Sequence, residues 1–290
     1  MPLSASVDDE VVCGPLMTDP AWAAMRGRSI RLLPCGHPGF PRVSPLGTRH
    51  FVHARDSGCR HAESAEHLWL KAVIAQQVAD VGWRARTEVP GPGFIADVLA
   101  EGPGATVAFE VQRSRQVLLE YERRQQVYAA AGVRCVWFAA HVPAGHQAGP
   151  HLPLFQVAQW QGNPRCVVAG RSLTVTAMVR ALLGGHCRWR DSVDGHTATF
   201  ETLRQMCPVC GTARVRQVAG WTTGTCECGL PAVQSVRGDS WPQDARCCGY
   251  WGPSLLLGLE FTQVLATAPI AAGHWCLSAG ALDRPPVRPA

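Results

Sequence analysis

The chain has 290 residues, of which 47% are hydrophobic, and a formal net charge of +5. This length exceeds one typical domain, the apolar fraction is enough for packed cores, and the mild basicity permits a polyanionic partner without requiring one. We find no basic-then-apolar leader, and the most apolar late stretch, 255–272, contains Glu260 and Pro269. We therefore expect a soluble cytoplasmic protein that does not bind membranes, in which clustered Cys and His favour metal over disulfides.

The beginning of the chain has little regular pattern. Residues 1–29 show no period and are expected to form a partly ordered lead-in. Residues 30–62 are rich in Gly and Pro and contain two Cys/His pairs a hairpin apart, which predicts a small zinc-finger-like module whose metal replaces a core. The expected ligands are Cys35, His37, His53 and Cys59. His50 and His61 are competing ligands, and unrelated residues in a Pro-rich loop are the alternative interpretation.

The clearest helix is predicted over 63–81, where apolar residues recur at helical spacing and Gly82 follows. Glu63, His67 and Lys71 are four residues apart, so they lie on one side of its first turns. This stripe becomes apolar further along the helix, and polar groups converging there indicate a site. The alternative is an exposed ladder of ion pairs. Lys71 is the only lysine in the chain.

Two apolar runs, 94–100 and 106–111, are joined by a turn containing Gly-Pro-Gly and predict a β-hairpin. Each run carries one carboxylate, Asp97 or Glu110, and a buried acid is costly unless it is paired or bound to metal. Two acids on adjacent strands can hold a divalent cation, and Gln112 lies on the strand face of Glu110. The alternative is an edge strand that exposes Asp97 to water, with Glu110 ion-paired.

The elements around this hairpin define the fold class. A half-exposed strand is predicted over 83–89, a second helix over 116–131 and a buried strand over 134–140. The order is α, β, β, β, α, β, and the last strand can lie parallel to a neighbour because it returns after a helical crossover. We expect an α/β domain over 63–142 with a central mixed sheet flanked by helices.

The remaining chain is predicted as a linker with a small α/β extension over 143–200, a zinc-ribbon-like module over 201–250 and a tail over 251–290. Two close cysteine pairs, each followed by Gly, form the second cluster, and Gly allows backbone N–H groups to turn toward thiolates. The expected zinc ligands are Cys207, Cys210, Cys226 and Cys228. Because the second pair is C-x-C, Cys247 and Cys248 are alternatives for one of its members.

Six short motifs occur in order along this core. They are HFVH before Cys59, ES-x-x-H-x-x-x-K from Glu63 to Lys71, ADVL around Asp97, FEVQ from Glu110 to Gln112, ER-x-x-x-x-Y from Glu122 to Tyr128, and the strand GVRCVWF. Together they resemble the competence protein CoiA family of the PD-(D/E)XK nuclease superfamily. The likeness covers residues 35–140 and, more faintly, 153–190.

The resemblance implies a restriction-endonuclease-like core in which Asp97 and Glu110 bind Mg²⁺ or Mn²⁺ and Glu63 completes or positions the metal. Gln112 stands where the family has a lysine, and a neutral amide can orient water but cannot supply charge. Lys71 is expected to supply that charge from the helix.

The resemblance also implies DNA as the substrate, in uptake, recombination or defence, with recombination or DNA-uptake proteins as partners. The expected substrate-binding residues are His67, Arg113, Arg124 and Tyr128. Arginine can grip phosphates and tyrosine can stack on bases, although Arg–Glu pairs and core tyrosines are the alternative. The alternative function is a catalytically inactive, nuclease-like zinc-ribbon module that binds DNA or protein.

Overall fold

The computed structural model describes residues 2–33, 35–54, 63–146, 148–160, 162–168, 171–190, 197–206, 213–223, 261–266 and 274–277. The chain divides into two compact units, one containing Met1–Trp189 and the other Arg190–Ala279. None of the helices in these ranges is both long and apolar enough to cross a membrane.

The first part of the larger unit is a group of short strands. They are β1 (Ser4–Val7), β2 (Glu10–Cys13), β3 (Ile30–Leu32), β4 (Gly39–Val43) and β5 (Arg49–His53), with the helix α1 (Asp19–Ala23) after β2. Strand β1 pairs antiparallel with β2 and β3, and β4 pairs antiparallel with β5. The region expected as a lead-in thus contains two strands and a helix, and its Met25 is buried in a cluster that also contains Phe51 of β5.

The larger unit is built on a seven-stranded mixed sheet. Its elements continue as α2 (Ala65–Asp80), β6 (Arg84–Gly91), β7 (Phe94–Gly102), β8 (Ala105–Gln112), α3 (Leu118–Ala130), β9 (Arg134–Ala139), β10 (Leu154–Ala158), β11 (Arg165–Val168), β12 (Arg171–Thr174) and α4 (Val175–Leu183). The strand order is β12-β11-β10-β9-β8-β7-β6. Strand β9 runs parallel to β8 and to β10, and the other neighbours are antiparallel. The predicted mixed α/β sheet flanked by helices is confirmed, and β10 to β12 extend it.

Helices α2 and α3 follow their sequence signals closely. Ser64 caps α2, since its hydroxyl accepts the backbone N–H of His67 at 3.2 Å. Helix α2 packs against β6, β7 and β8, whereas α3 packs against β9 and β7. Tyr121 and Tyr128 of α3 are fully buried, and both contact Trp137 of β9 edge to face. Each helix therefore covers part of the sheet with its apolar side.

The alternation of β8 decides which helix its side chains meet. Ala108 belongs to the buried cluster that contains Tyr121 and Tyr128. Because every second side chain of a strand shares a face, Glu110 projects toward α3 together with Ala108. Phe109 lies on the other face.

Strand β13 (Cys187–Arg190) follows α4, and the smaller unit contains β14 (Thr197–Met206), β15 (Ala213–Thr223), β16 (Phe261–Ala266) and β17 (His274–Leu277). Strands β15, β14 and β16 form an antiparallel sheet with β14 in the centre. The predicted zinc-ribbon ligands lie outside the described residues, namely Cys207, Cys210, Cys226 and Cys228 with their alternatives Cys247 and Cys248.

Candidate metal centre

Three acids occupy one row across β6, β7 and β8. The register of β6 with β7 places Glu88 opposite Asp97, and that of β7 with β8, whose pairing ends at Val98 and Phe109, places Asp97 next to Glu110. Regular pairing is interrupted at this row. Glu88 has a φ of 49°, in the left-handed region that a non-glycine residue rarely occupies. The sheet is therefore distorted where its acids meet.

The carboxylates of Asp97 and Glu110 accept hydrogen bonds from backbone N–H groups at the point where the strand pairing is interrupted. The Asp97 N–H donates to Oε1 of Glu110 at 3.2 Å, and the Val111 N–H donates to Oδ2 of Asp97 at 2.9 Å. Backbone donors buried without a partner are costly, so these bonds hold both side chains in place. Asp97 and Glu110 are thus neighbours with fixed orientations.

Asp97 meets two groups from the start of α2. Glu63, His67 and Asp97 each offer a ligand atom, and these atoms all lie within 4.8 Å of one another. The distance between Nε2 of His67 and Oδ2 of Asp97 is 3.4 Å. All three residues are half-buried. Carboxylate oxygens and an imidazole nitrogen at this spacing can hold one divalent cation.

Lys71 lies behind this group. Its side chain is fully buried, and Nζ is 2.8 Å from Oε1 of Glu88, 3.0 Å from Oε1 of Glu63 and 3.6 Å from Oδ1 of Asp97. Burial alone would lower the pKa of Lys71, but the carboxylates of Glu88, Asp97 and Glu63 raise it well above its usual value. Lys71 is therefore a buried cation that offsets part of the negative charge.

The charge of Lys71 also determines the state of Asp97. Burial would raise the pKa of the Asp97 carboxyl group, but the Lys71 ammonium, and after it His67, lower this pKa to about 2. Asp97 is consequently ionised at neutral pH, as a metal ligand must be.

Glu110 has a different set of partners. Arg124 of α3 donates to its Oε2 at 2.6 Å, and the Tyr128 hydroxyl donates to its Oε1. Burial, and then the charge of Asp97, raise the pKa of Glu110 to about 8, although Arg124 and Tyr128 lower it. The Arg124 guanidinium also lies 4.4 Å from the ring centre of Trp137. Glu110 is thus the centre of a buried network on the α3 side.

The structure therefore divides the predicted site residues. It brings Asp97 together with Glu63, His67 and Lys71. The group of three candidate ligands, Glu63, His67 and Asp97, does not include Glu110. Two predicted substrate-binding residues contact Glu110 instead, namely Arg124 and Tyr128.

Gln112 and Arg113 lie at a cleft beside the three ligands. The cleft has a volume of about 500 Å³, and Glu63 and His67 also line it. Gln112 donates to the Ser114 hydroxyl at 2.6 Å. Arg113 is bound to Oε2 of Glu66 at 2.7 Å, and its side chain remains 39% exposed. A phosphate entering this cleft would meet Arg113 near the ligand group.

The sequence analysis did not single out Glu88, which lies in the half-exposed strand predicted over 83–89. The turn between β6 and β7 carries the signal that could have identified Glu88. Gly91 pairs with Phe94 across a two-residue loop, and counting back three pairs places Glu88 opposite Asp97. Hairpin register, rather than residue type, identifies this acid as a member of the cluster.

A second group of metal-type ligands lies at the base of the β4–β5 hairpin. Cys35, His37 and His53 offer ligand atoms within 4.8 Å of one another, and Sγ of Cys35 lies 3.2 Å from Nε2 of His53. This group contains three of the four predicted ligands. Cys59 and the alternative ligand His61 fall outside the described residues. The alternative His50 is not in the group: it is buried, and its Nδ1 lies 3.1 Å from the Thr48 carbonyl oxygen.

Comparisons with protein-family models, curated proteins and solved structures give no match for this chain. Its class therefore follows from its own geometry: a mixed α/β protein with a seven-stranded mixed sheet flanked by helices. An acidic row crosses the three strands at one end of that sheet.

Proposed function

We propose that this chain is a divalent-metal-dependent nuclease that hydrolyses DNA phosphodiester bonds in DNA uptake, recombination or defence. The observation that carries the proposal is the convergence of Glu63, His67 and Asp97 within 4.8 Å beside a cleft. The order α2-β6-β7-β8-α3-β9 supports it, because it is the element order implied by the resemblance to PD-(D/E)XK nucleases.

The donor set of this site fits a divalent metal. Oε2 of Glu63 is buried and lies 3.0 Å from the Lys71 ammonium. A carboxylate oxygen has two lone pairs, so this atom can also bind a metal ion. Two carboxylates and one imidazole favour Mn²⁺ over Mg²⁺, since Mg²⁺ prefers oxygen ligands alone. Glu63, His67 and Asp97 would hold the ion.

A bound metal of this kind polarises a phosphoryl oxygen and lowers the pKa of a bound water. The protein supplies the surroundings. Arg113 at the cleft can bind a phosphate of the substrate, and the Gln112 amide can orient a water without adding charge. Lys71 stabilises the ionised state of Asp97 from inside the protein. Lys71 was expected to supply positive charge to the reaction, but its ammonium contacts the carboxylates of Glu88, Glu63 and Asp97 instead.

A second candidate function rests on the position of Glu110. The second acid of the motif is bound by Arg124 and Tyr128, and Gln112 replaces the lysine that the family carries. A site with these two departures would bind DNA or protein without cutting it. This is the nuclease-like binding module.

The group of Cys35, His37 and His53 supports structural zinc, because a thiolate and two imidazoles form a common zinc site when a fourth ligand joins them. Cys59 is the fourth ligand in this proposal. Metal analysis of protein purified without chelator should find zinc, and the Cys35→Ala variant should contain about one equivalent less. Equal zinc content in both proteins would contradict this assignment.

Digestion assays decide between the two functions. Linear, circular and single-stranded DNA would be incubated with the full chain in Mg²⁺ or Mn²⁺, alongside Asp97→Ala and the control Glu101→Ala. Glu101 is an acid of the same hairpin that contacts Arg84 and Arg86 away from the cleft. Cleavage by the wild type and the control, but not by Asp97→Ala, is the expected result. DNA binding without cleavage in either metal would support the binding module.

A further inference from the structure

Glu88 links three parts of the protein. Its Oε1 accepts the Lys71 ammonium at 2.8 Å and the backbone N–H of Leu3 at 3.1 Å, and its Oε2 accepts the backbone N–H of Ser4 at 3.2 Å. The residue is 7% exposed. A buried carboxylate with three donors is held in one position.

The N-terminal donors are themselves anchored. Leu3 is fully buried against Leu68 and Ala72 of α2, and its carbonyl accepts the backbone N–H of Gly14 at 2.9 Å. The hydroxyl groups of Ser4 and Thr87 are hydrogen-bonded to each other. The start of the chain is therefore part of the structure that fixes the Glu88 carboxylate.

The Lys71 ammonium lies unequally among its three acids. Its distances to Glu88 and Glu63 are hydrogen-bonding distances, whereas its 3.6 Å distance to Asp97 is longer. At that distance the positive charge still favours ionised Asp97. The carboxylate of Asp97 nevertheless makes no direct hydrogen bond to the ammonium.

We propose that Glu88 is a positioning residue that holds the Lys71 ammonium away from Asp97, so that the Asp97 carboxylate stays available to a divalent cation. The metal part of this inference rests on the proposed function. Without the charge of Glu88, the ammonium would move toward Asp97 and compete with the cation. Partners that orient metal ligands from outside the coordination shell typically change metal affinity by about 10- to 100-fold.

Because the chain has a single lysine, the hold of Glu88 on the Lys71 ammonium can be measured directly. Protein labelled with ¹⁵N-lysine has one side-chain ammonium signal, that of Lys71. In the wild type this signal should be visible at neutral pH, because a buried, hydrogen-bonded ammonium exchanges its protons slowly. In Glu88→Gln it should broaden or disappear, whereas in the control Glu101→Gln it should be unchanged. An unaltered signal in Glu88→Gln would overturn the proposal.

Binding of Mn²⁺ alone measures whether Glu88 keeps Asp97 available to a divalent cation. Glu88→Gln should weaken Mn²⁺ binding by about tenfold or more, with Glu101→Gln at the wild-type value. Equal affinity in Glu88→Gln and wild type would show that Glu88 does not serve the metal site. If the wild type binds no Mn²⁺, the proposed function fails, while the ammonium signal still decides whether Glu88 holds Lys71.

A further variant covers the case in which Glu88→Gln does not fold. Asp97→Asn removes the most distant of the three carboxylates and keeps the side-chain size. The ammonium signal should persist in this variant, because the two closer acids remain. Its loss would show that Asp97 is the principal partner of Lys71 and would overturn the proposal.

Discussion

The two acids of the hairpin are neighbours, yet they belong to different environments. Asp97 contacts His67 and Lys71 of α2, and its pKa is lowered to about 2. Glu110 contacts Arg124 and Tyr128 of α3, and its pKa is raised to about 8. Two carboxylates in one motif therefore have environments that suit different tasks: Asp97 lies with the candidate metal ligands Glu63 and His67, whereas Glu110 connects the sheet to α3.

The largest expected effect separates these tasks by activity. On the proposed function, Asp97→Asn should lower Mn²⁺-dependent cleavage by about 10³-fold or more, because a ligand charge at the reacting centre is lost. Glu110→Gln should retain Mn²⁺ binding within about a few-fold, since Glu110 lies outside the ligand group. Calorimetric titration with Mn²⁺ and a digestion assay on both variants provide the measurements. A larger loss of Mn²⁺ affinity in Glu110→Gln than in Asp97→Asn would reverse the comparison.

The second prediction concerns stability on the α2 side. Lys71→Met removes the ammonium group that contacts all three of Glu88, Glu63 and Asp97. Removing one partner of a buried charged cluster typically destabilises a protein by about 3–5 kcal/mol. Chemical denaturation should show a loss of this order in Lys71→Met.

Arg86→Met is the matched control, because it breaks a partly exposed ion pair with Glu101 on the same sheet. Such pairs contribute about 0–1 kcal/mol. Similar stability losses in the two variants would mean that the Lys71 cluster is better solvated than its burial indicates.

The sequence predicted the parts of this structure that depend on local pattern. Helix α2 and strands β7 and β8 lie within a few residues of their predicted bounds, because helical spacing and the turn between the strands are local signals. The parallel placement of β9 followed from its crossover helix.

The division between Asp97 and Glu110 depends on an interruption of the sheet that no local pattern reports. Alternation along each strand gives the face of a side chain only while pairing is regular, and regular pairing is interrupted at this row. The contact of Glu88 with Leu3 joins residues 85 positions apart, so it depends on packing rather than on spacing. These features required the folded chain.

The third prediction uses the opposite pKa shifts. Asp97 has a lowered pKa in the folded state, so its contribution to stability is present above its unfolded pKa of about 3.9 and is lost as pH falls toward about 2. Glu110 has a raised pKa, so the folded state is progressively destabilised as pH rises from about 4.3 toward about 8.

Unfolding free energies measured from pH 2 to pH 9 test this directly. Relative to the wild type, Asp97→Asn should lose stability mainly above about pH 4. The unfolding free energy of Glu110→Gln should increase relative to that of the wild type as pH rises from about 5 to 8, because the variant has no carboxyl group to ionise at this position. Parallel stability curves for all three proteins would contradict the opposite shifts.

The smallest expected effect distinguishes two arginines. Arg113 lies at the cleft on the α2 side and is 39% exposed, whereas Arg124 is 26% exposed and holds the buried carboxylate of Glu110 at 2.6 Å. If DNA enters the cleft, Arg113→Gln should weaken DNA binding modestly and reduce the slope of log affinity against log salt by about one, as expected for one lost phosphate contact. Its stability should change by less than about 1 kcal/mol, since it breaks a partly exposed ion pair.

Arg124→Gln should show the converse. Loss of its guanidinium leaves the buried Oε2 of Glu110 without its hydrogen-bond donor, so the variant should unfold at lower denaturant concentration than Arg113→Gln while its salt slope for DNA binding stays at the wild-type value. Both measurements can be made in Ca²⁺, so that binding is recorded without cleavage. A reduced salt slope in Arg124→Gln would mean that DNA reaches the α3 side, and Glu110 would then lie next to the substrate rather than inside the scaffold.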